Sequence, residues 1–132
     1  MIRPKNLLVL LPLLAIPILA QLDWVAGQAA ASPHEHHNSP TLAVAHRLQG
    51  DDLHLQLTVT GFTFSLENMG KENRYGEGHV HLYLDGKKVA KIFSPQYVYR
   101  DVPTGHHDVM VELAHNNHDS YGIKQTFQID IK

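Results

Sequence analysis

Strict alternation of apolar and polar residues is the feature of this chain that most limits its fold. Residues 53–62, LHLQLTVTGF, carry leucine or valine at every second position over most of their length, and residues 107–115, HDVMVELAH, repeat the pattern. Successive side chains of a β-strand point to opposite faces, so the alternation predicts strands with one buried face. No segment after residue 31 has the apolar spacing of three and four residues that is typical of a helix. The fold is therefore predicted to be all-β.

Turn residues divide residues 41–132 into short segments of this kind. The clearest turn is Asp85-Gly86, because this dipeptide suits a type I′ hairpin. Predicted strands cover residues 41–49, 53–62, 79–85, 89–94, 96–102, 107–115 and 123–132, with residues 63–66 continuing the second strand past Gly61. Seven or eight short antiparallel strands predict an immunoglobulin-like β-sandwich domain over residues 41–132, with a small barrel as the alternative.

The amino-terminal residues have the composition of an export signal. Arg3 and Lys5 precede an apolar run at residues 7–20, and small residues just before residue 32 suit a cleavage site. We predict a signal peptide over residues 1–31 and an exported protein, periplasmic or extracellular. An uncleaved membrane anchor is the alternative, although the run is shorter than the roughly 20 residues that a span needs.

Histidine is the most unusual component of the composition. All 11 histidines follow residue 31, and three of them fall in residues 32–40, SPHEHHNSP, a predicted flexible tail. Imidazole is the commonest metal ligand in proteins. The chain has no cysteine, which excludes a blue-copper site of the His₂Cys kind.

The net charge of −2 becomes −3 when the two cations and one anion of residues 1–31 are removed, and a weakly acidic domain is not expected to bind nucleic acid.

Two histidines alternate at the start of one predicted strand. In residues 76–88, GEGHVHLYLDGKK, His79 and His81 occupy positions i and i+2, so both rings point to the same face. Antiparallel pairing of this strand with residues 107–115 places its start beside the end of its partner. Imidazole suits both copper(II) and zinc(II), so the pair is interpreted as half of a site for one of these ions.

Two histidines near the end of the partner strand are predicted to complete this site. His118 lies in the following loop and is free to turn toward the pair. His115 shares the phase of the inward-facing Val111 and Leu113, so a bulge or strand end near residue 115 would be needed to rotate it. His107 has the same inward phase and is predicted to close the edge of the core and to hydrogen-bond a backbone carbonyl.

The histidine segments resemble a group of exported bacterial, His-rich, immunoglobulin-like domains of uncharacterised function. The shared pattern is G-H-x-H-x-Y-x-D-G followed by P-x-G-x-H-x-V-x-V-x-L-x-x-N-x-H, and the match covers residues 76–118. His79, His81, His107 and His118 fall on its histidines. The resemblance implies a sandwich with histidines near one end.

We therefore predict an exported domain that binds copper or zinc through His79, His81, His118 and His115, as a carrier, buffer or sensor. The alternative is an interaction or adhesion module of the cell envelope in which the histidines are structural. No Gly-x-Ser-x-Gly motif and no cysteine nucleophile is present, so an enzyme is not expected, with redox activity at a bound copper left open. The expected partners are the metal ion and an envelope protein. The chain is predicted to be a monomer and to contact a membrane only if the leader stays uncleaved.

Overall fold

Strands alone make up the regular structure of residues 25–29 and 39–132, the part of the chain that the computed structural model describes. The strands are β1 (Val25–Ala29), β2 (Thr41–Gln49), β3 (Asp52–Thr60), β4 (Thr63–Phe64), β5 (Glu77–Leu84), β6 (Lys87–Ile92), β7 (Gln96–Tyr99), β8 (Gly105–Ala114) and β9 (Ser120–Ile131). One sheet has the order β1-β2-β3-β7, and the other has β4-β5-β8-β9 with β6 also paired to β5. The predicted all-β sandwich is confirmed, and its immunoglobulin-like topology stays a prediction.

The two sheets bury the apolar rows that the alternation predicts. Leu53, Leu55 and Leu57 of β3 face Val109 and Val111 of β8 across one continuous core, in which each of these side chains is at most 2% exposed. Burial of a side chain of this size contributes about 1.5–3 kcal/mol. The alternation therefore fixes which face of each strand points inward, and the opposite face remains for other roles.

The predicted continuation of the second strand through residues 63–66 is wrong. β3 ends at Thr60, and Gly61 adopts a φ of 61°, in the left-handed region that glycine enters most readily. The chain turns there and crosses to the other sheet. Residues Thr63 and Phe64 then pair in parallel with Glu77 and Gly78 at the start of β5.

The start of β5 is enclosed on both edges and both faces. β8 pairs along one edge, with His79 opposite Ala114, and β4 and β6 share the other edge. All five residues from Gly78 to Leu82 are buried, although a half-buried strand would expose every second one. Gly78 allows the close approach of β8, because a Cβ at this position would collide with the carbonyl oxygen of Ala114.

The predicted leader and tail lie largely outside the described residues. β1 is the exception, since it falls within the predicted signal peptide of residues 1–31 and pairs antiparallel with β2, from Val25 opposite His46 to Ala29 opposite Leu42. Cleavage after residue 31 would remove β1 and leave that edge of β2 unpaired, and the cleavage position stays a prediction. Among the described residues, no helix has the length and apolar character to cross a membrane.

The Asp85-Gly86 turn between β5 and β6 is held by a charged histidine. Both residues have positive φ, 51° and 79°, as the predicted type I′ turn requires. The His107 Nδ1 lies 2.6 Å from Asp85 Oδ2, and its Nε2 lies 2.6 Å from the carbonyl oxygen of Pro103. Both partners are acceptors, so both ring nitrogens donate and the ring is an imidazolium. The prediction that His107 bonds a backbone carbonyl at the core edge is confirmed.

The ion pair between His107 and Asp85 predicts a loss of stability in mild alkali. The hydrogen bond to Asp85, with that to Pro103, raises the pKa of His107 above its usual 6.5. The stabilisation is therefore fully present below pH 6.5 and is lost as the pH rises through the folded-state pKa. We expect the melting temperature to fall between pH 6.5 and 9, and to fall less in His107→Gln, as measured by circular dichroism in a pH series.

His106→Gln is the matched control for this experiment. His106 also contacts a carboxylate, Asp130, at 2.7 Å, but the two side chains are 53% and 76% exposed, so solvent weakens the pair. The pH profile of His106→Gln is expected to follow that of the wild type. Equal pH slopes in the wild type and His107→Gln would contradict the assignment of a structural imidazolium.

Candidate metal centre

Three imidazole nitrogens converge at the start of β5. The Nε2 of His79 lies 2.9 Å from Nε2 of His81 and 3.1 Å from Nδ1 of His118. The three donor atoms all lie within 4.8 Å of one another, so this group could hold a metal ion. Two of the rings come from one strand, and the third comes from a loop 37 residues further along the chain than His81.

The strand fixes the two buried rings of this centre. His79 and His81 lie on the face opposite Val80 and Leu82, as the alternation predicts, yet they are fully buried at 0% and 1% exposure. Phe93, just after β6, stacks on His79 with ring centroids 5.1 Å apart and planes 28° apart. Close packing around both rings leaves them little freedom to rotate, so their nitrogens are held in place before any ion arrives.

The third ring is placed by a tight turn between β8 and β9. His118 has a φ of 76°, a left-handed conformation that is uncommon outside glycine and typically costs about 1–3 kcal/mol. The backbone N–H of His118 donates to the carbonyl oxygen of His115 at 2.9 Å. The backbone N–H of His115 donates to the carbonyl oxygen of Asp119 at 2.7 Å. These bonds hold the turn in the shape that points His118 toward β5, and this ring is only partly buried.

A buried polar network ties this turn to the long loop before β5. Asn116 is fully buried, and its side-chain amide donates to Glu77 Oε1 at 3.0 Å and to the carbonyl oxygen of Glu72 at 3.2 Å. Asn68 donates to the same oxygen of Glu77 at 2.5 Å. The hydrogen bonds from Asn68 and then Asn116 lower the pKa of Glu77. The network therefore positions the backbone two residues before His118.

The electrostatic environment keeps the two strand histidines neutral. Burial, as the largest cause, lowers the pKa of His79 and of His81 to about 4. The charges of Lys88 and Lys91 and the neighbouring imidazoles lower it further. At neutral pH each of these two rings therefore carries one proton and one lone pair, which is the form that binds a metal.

One of the two ring nitrogens of His79 has no hydrogen-bond partner among the described residues. Its Nε2 faces two ring nitrogens, whereas its Nδ1 is buried with no partner among the described residues. If Nδ1 carries the proton, an N–H is buried without an acceptor, which costs about 1–3 kcal/mol, and the Nε2 lone pair is left facing His81 and His118. An ion at that point would accept this lone pair together with those of the other two rings.

Two of the three separations between the donor nitrogens suit binding to one ion, and the third, between His81 and His118, is within 4.8 Å. Nitrogens bound at about 2.0–2.1 Å, with angles of about 90–110° at the ion, are roughly 2.9–3.4 Å apart. The observed 2.9 and 3.1 Å fall in this interval. Three protein ligands would leave one position of a four-coordinate ion open, as in catalytic zinc sites rather than closed structural ones.

His115 is not brought into the group with His79, His81 and His118. Its ring stacks on Tyr121 with centroids 3.6 Å apart, and its Nδ1 is buried with no partner among residues 25–29 and 39–132. The register between β8 and β9 does shift between Glu112 and Ala114, near the place where the prediction required a bulge. The irregularity and the following turn direct His118, rather than His115, toward His79 and His81.

Sequence reasoning missed the supports of the site. The predicted strand 89–94 includes Phe93 but does not place it against His79, and the Asn116–Glu77 network had no local signal because its members lie 39 residues apart. A second group of possible donors, Asp51, Asp52 and Asp101, lies at another turn. Arg100 already pairs with Asp52 there at 3.0 Å, and nothing further points to an ion.

Ring titration in the metal-free protein tests the environment of the site. We expect the ring protons of His79 and His81 to keep their neutral chemical shifts down to about pH 5, because burial disfavours the charged form. His106 is the internal control, since its contact with Asp130 raises its pKa. The measurement is a nuclear magnetic resonance pH series with assigned histidines, and titration of His79 near pH 6.5 would contradict the prediction.

The same pKa shifts predict an acid loss of stability. The pKa of these two rings is lowered in the folded state, so the unfolded chain binds protons more readily between pH 6.5 and 4 and folding weakens as the pH falls. A shift of this size corresponds to at most about 3 kcal/mol per ring. His81→Gln should flatten the pH dependence of the unfolding free energy, measured with urea, in this interval. An unchanged slope would argue against a neutral buried ring.

Comparison of the chain with family models, with curated proteins and with solved structures gives no significant match. The resemblance of residues 76–118 to exported His-rich domains therefore stays a prediction. The functional interpretation depends on the geometry of the histidine centre alone.

Proposed function

We propose that this protein is an exported domain that binds a copper or zinc ion through His79, His81 and His118, as a carrier, buffer or sensor. The observation that supports it best is the convergence of three ring nitrogens, with separations of 2.9 and 3.1 Å around His79. Neutral imidazole nitrogen suits copper and zinc, whereas calcium and magnesium prefer oxygen ligands.

The different supports of the three ligands favour reversible binding. His79 and His81 are fully buried on a central strand, and His118 is partly exposed on a turn. A rigid pair defines the position of the ion, and a loop ligand at the surface gives it a way in and out. One open coordination position would allow an incoming ligand to take the ion over. This combination fits a carrier or buffer better than a permanent structural ion.

The alternative function is an envelope interaction module with structural histidines. It is favoured by the same short distances, because 2.9 and 3.1 Å are also hydrogen-bond distances between rings. Under this alternative the cluster needs no ion, and adding metal should leave the stability of the fold unchanged. The two functions are therefore separated by a metal titration.

Binding is best measured in a variant in which His34, His36 and His37 are replaced by alanine, because a His-rich tail captures metal loosely by itself. We expect this variant to bind one copper(II) or zinc(II) ion with a micromolar or lower Kd in isothermal titration calorimetry. At a free metal concentration of 100 Kd, the folded state should gain about 2.7 kcal/mol. The melting temperature should rise accordingly.

Further substitutions assign the ligands. His118→Ala should weaken binding at least about tenfold, as expected for loss of one of three ligands. The double change His79→Gln and His81→Gln should abolish it. His54→Ala is the matched control, since His54 lies on β3 in the other sheet and should bind as the parent does. Metal binding that survives the double change would overturn the proposal. So would metal binding by the wild type that disappears when only the three tail histidines are replaced.

A further inference from the structure

The charge of the proposed centre is not balanced by its own ligands. His79, His81 and His118 offer neutral nitrogens, and no carboxylate oxygen belongs to this group of described donors. A divalent ion held there would keep its full charge in a largely buried position. Such a charge is costly unless a counter-ion lies close to it.

Two lysines on the neighbouring strand make the surroundings more positive. Lys91 of β6 lies directly opposite His81, and Lys88 lies opposite Tyr83, two residues further along β5. Residues opposite each other in an antiparallel pair point to the same face, so both lysines are on the face that carries the imidazoles. Both are exposed, and their charges act on the two strand histidines, as the lowered pKa values of those rings reflect.

The carboxylate nearest in register does not supply the missing charge. Glu112 of β8 lies opposite His81 on the other side of β5. Its oxygens are outside the group of donor atoms, and its charge raises the pKa of Tyr83, after the larger effect of burial. Lys124 of β9 lies opposite Glu112 on the same face. These paired positions therefore carry three lysines and one glutamate, and no carboxylate oxygen belongs to the group of described donors.

We propose that a divalent ion in this centre takes a small anion from solution as its fourth ligand, attracted by Lys88 and Lys91. This inference rests on the proposed metal-binding function. The anion donates a lone pair to the open position and lowers the net charge of the buried ion. His118 is the one partly exposed residue of the three, so we expect the fourth ligand to be a small donor, such as a halide, azide or the carboxylate of a small molecule.

Azide binding to the copper(II)-loaded protein tests this inference. Azide is the probe because its bond to copper(II) produces a charge-transfer absorption band that neither component has alone. We expect a saturable band that reports one azide per bound copper. The double variant Lys88→Gln and Lys91→Gln should bind copper but weaken azide binding by about three- to tenfold, the effect of removing two solvent-screened charges from the same face of the sheet.

Lys87→Gln is the matched control. Lys87 has the same charge and also belongs to β6, but it lies opposite Leu84, farther along β5 from His81. The azide affinity of this variant should change less than about twofold. If the protein binds one copper ion but shows no azide band, the inference is overturned while the metal site stays intact. The same holds if azide releases the copper from the protein, measured in the filtrate after ultrafiltration. Failure to bind copper at all would instead overturn the proposed function and this inference with it.

Discussion

The pairing of β5 with strands on both edges is the constraint on which the site depends. β8 covers one edge, β4 and β6 cover the other, and Gly78 lets the backbone of Ala114 approach without a Cβ between them. Only in this setting can His79 and His81, which point away from the core, still be buried. A strand at the edge of the sheet would leave the same two residues in water, with ordinary pKa values and free rings. Because β5 is enclosed, two side chains that an exposed strand would present to water are instead held in place as potential ligands.

Two histidine environments at opposite ends of β5 show how local partners decide the charge of the ring. His107 faces a carboxylate and a carbonyl, so both nitrogens donate and the charged form is favoured. His79 and His81 face other imidazoles and two lysines, so burial is uncompensated and the neutral form is favoured. The first arrangement stabilises a turn, and the second gathers neutral ring nitrogens within 4.8 Å of one another. The same residue type therefore holds the fold together at one end of the strand and forms a group that could hold a metal ion at the other.

The sequence predicted most of the fold because alternation and turn chemistry are local. The β2 strand, the Asp85-Gly86 turn and the pairing of β5 with β8 follow from period-two burial and hairpin geometry alone. The crossing at Gly61 was missed because a short parallel pairing in the other sheet has no local pattern. In the site, the spacing of i and i+2 correctly placed His79 and His81 side by side on one face of β5. The choice of His118 over His115 depended on the turn at residues 115–119, where one left-handed residue redirects the chain.

The division of ligands between strand and turn bears on how tightly an ion can be held. His79 and His81 lie on β5, whose opposite face packs in the core, so their position cannot change without loss of stability. The turn that carries His118 is fixed by a separate set of hydrogen bonds, centred on the buried amide of Asn116 and the carboxylate of Glu77. These bonds join the turn at Asn116 to Glu77, the first residue of β5, and are not the ladder bonds of paired strands. The turn can therefore loosen while the sandwich remains folded. Movement of His118 away from a bound ion would leave two of the three proposed ligands and weaken the hold on the ion, which is the behaviour expected of the reversible carrier proposed above.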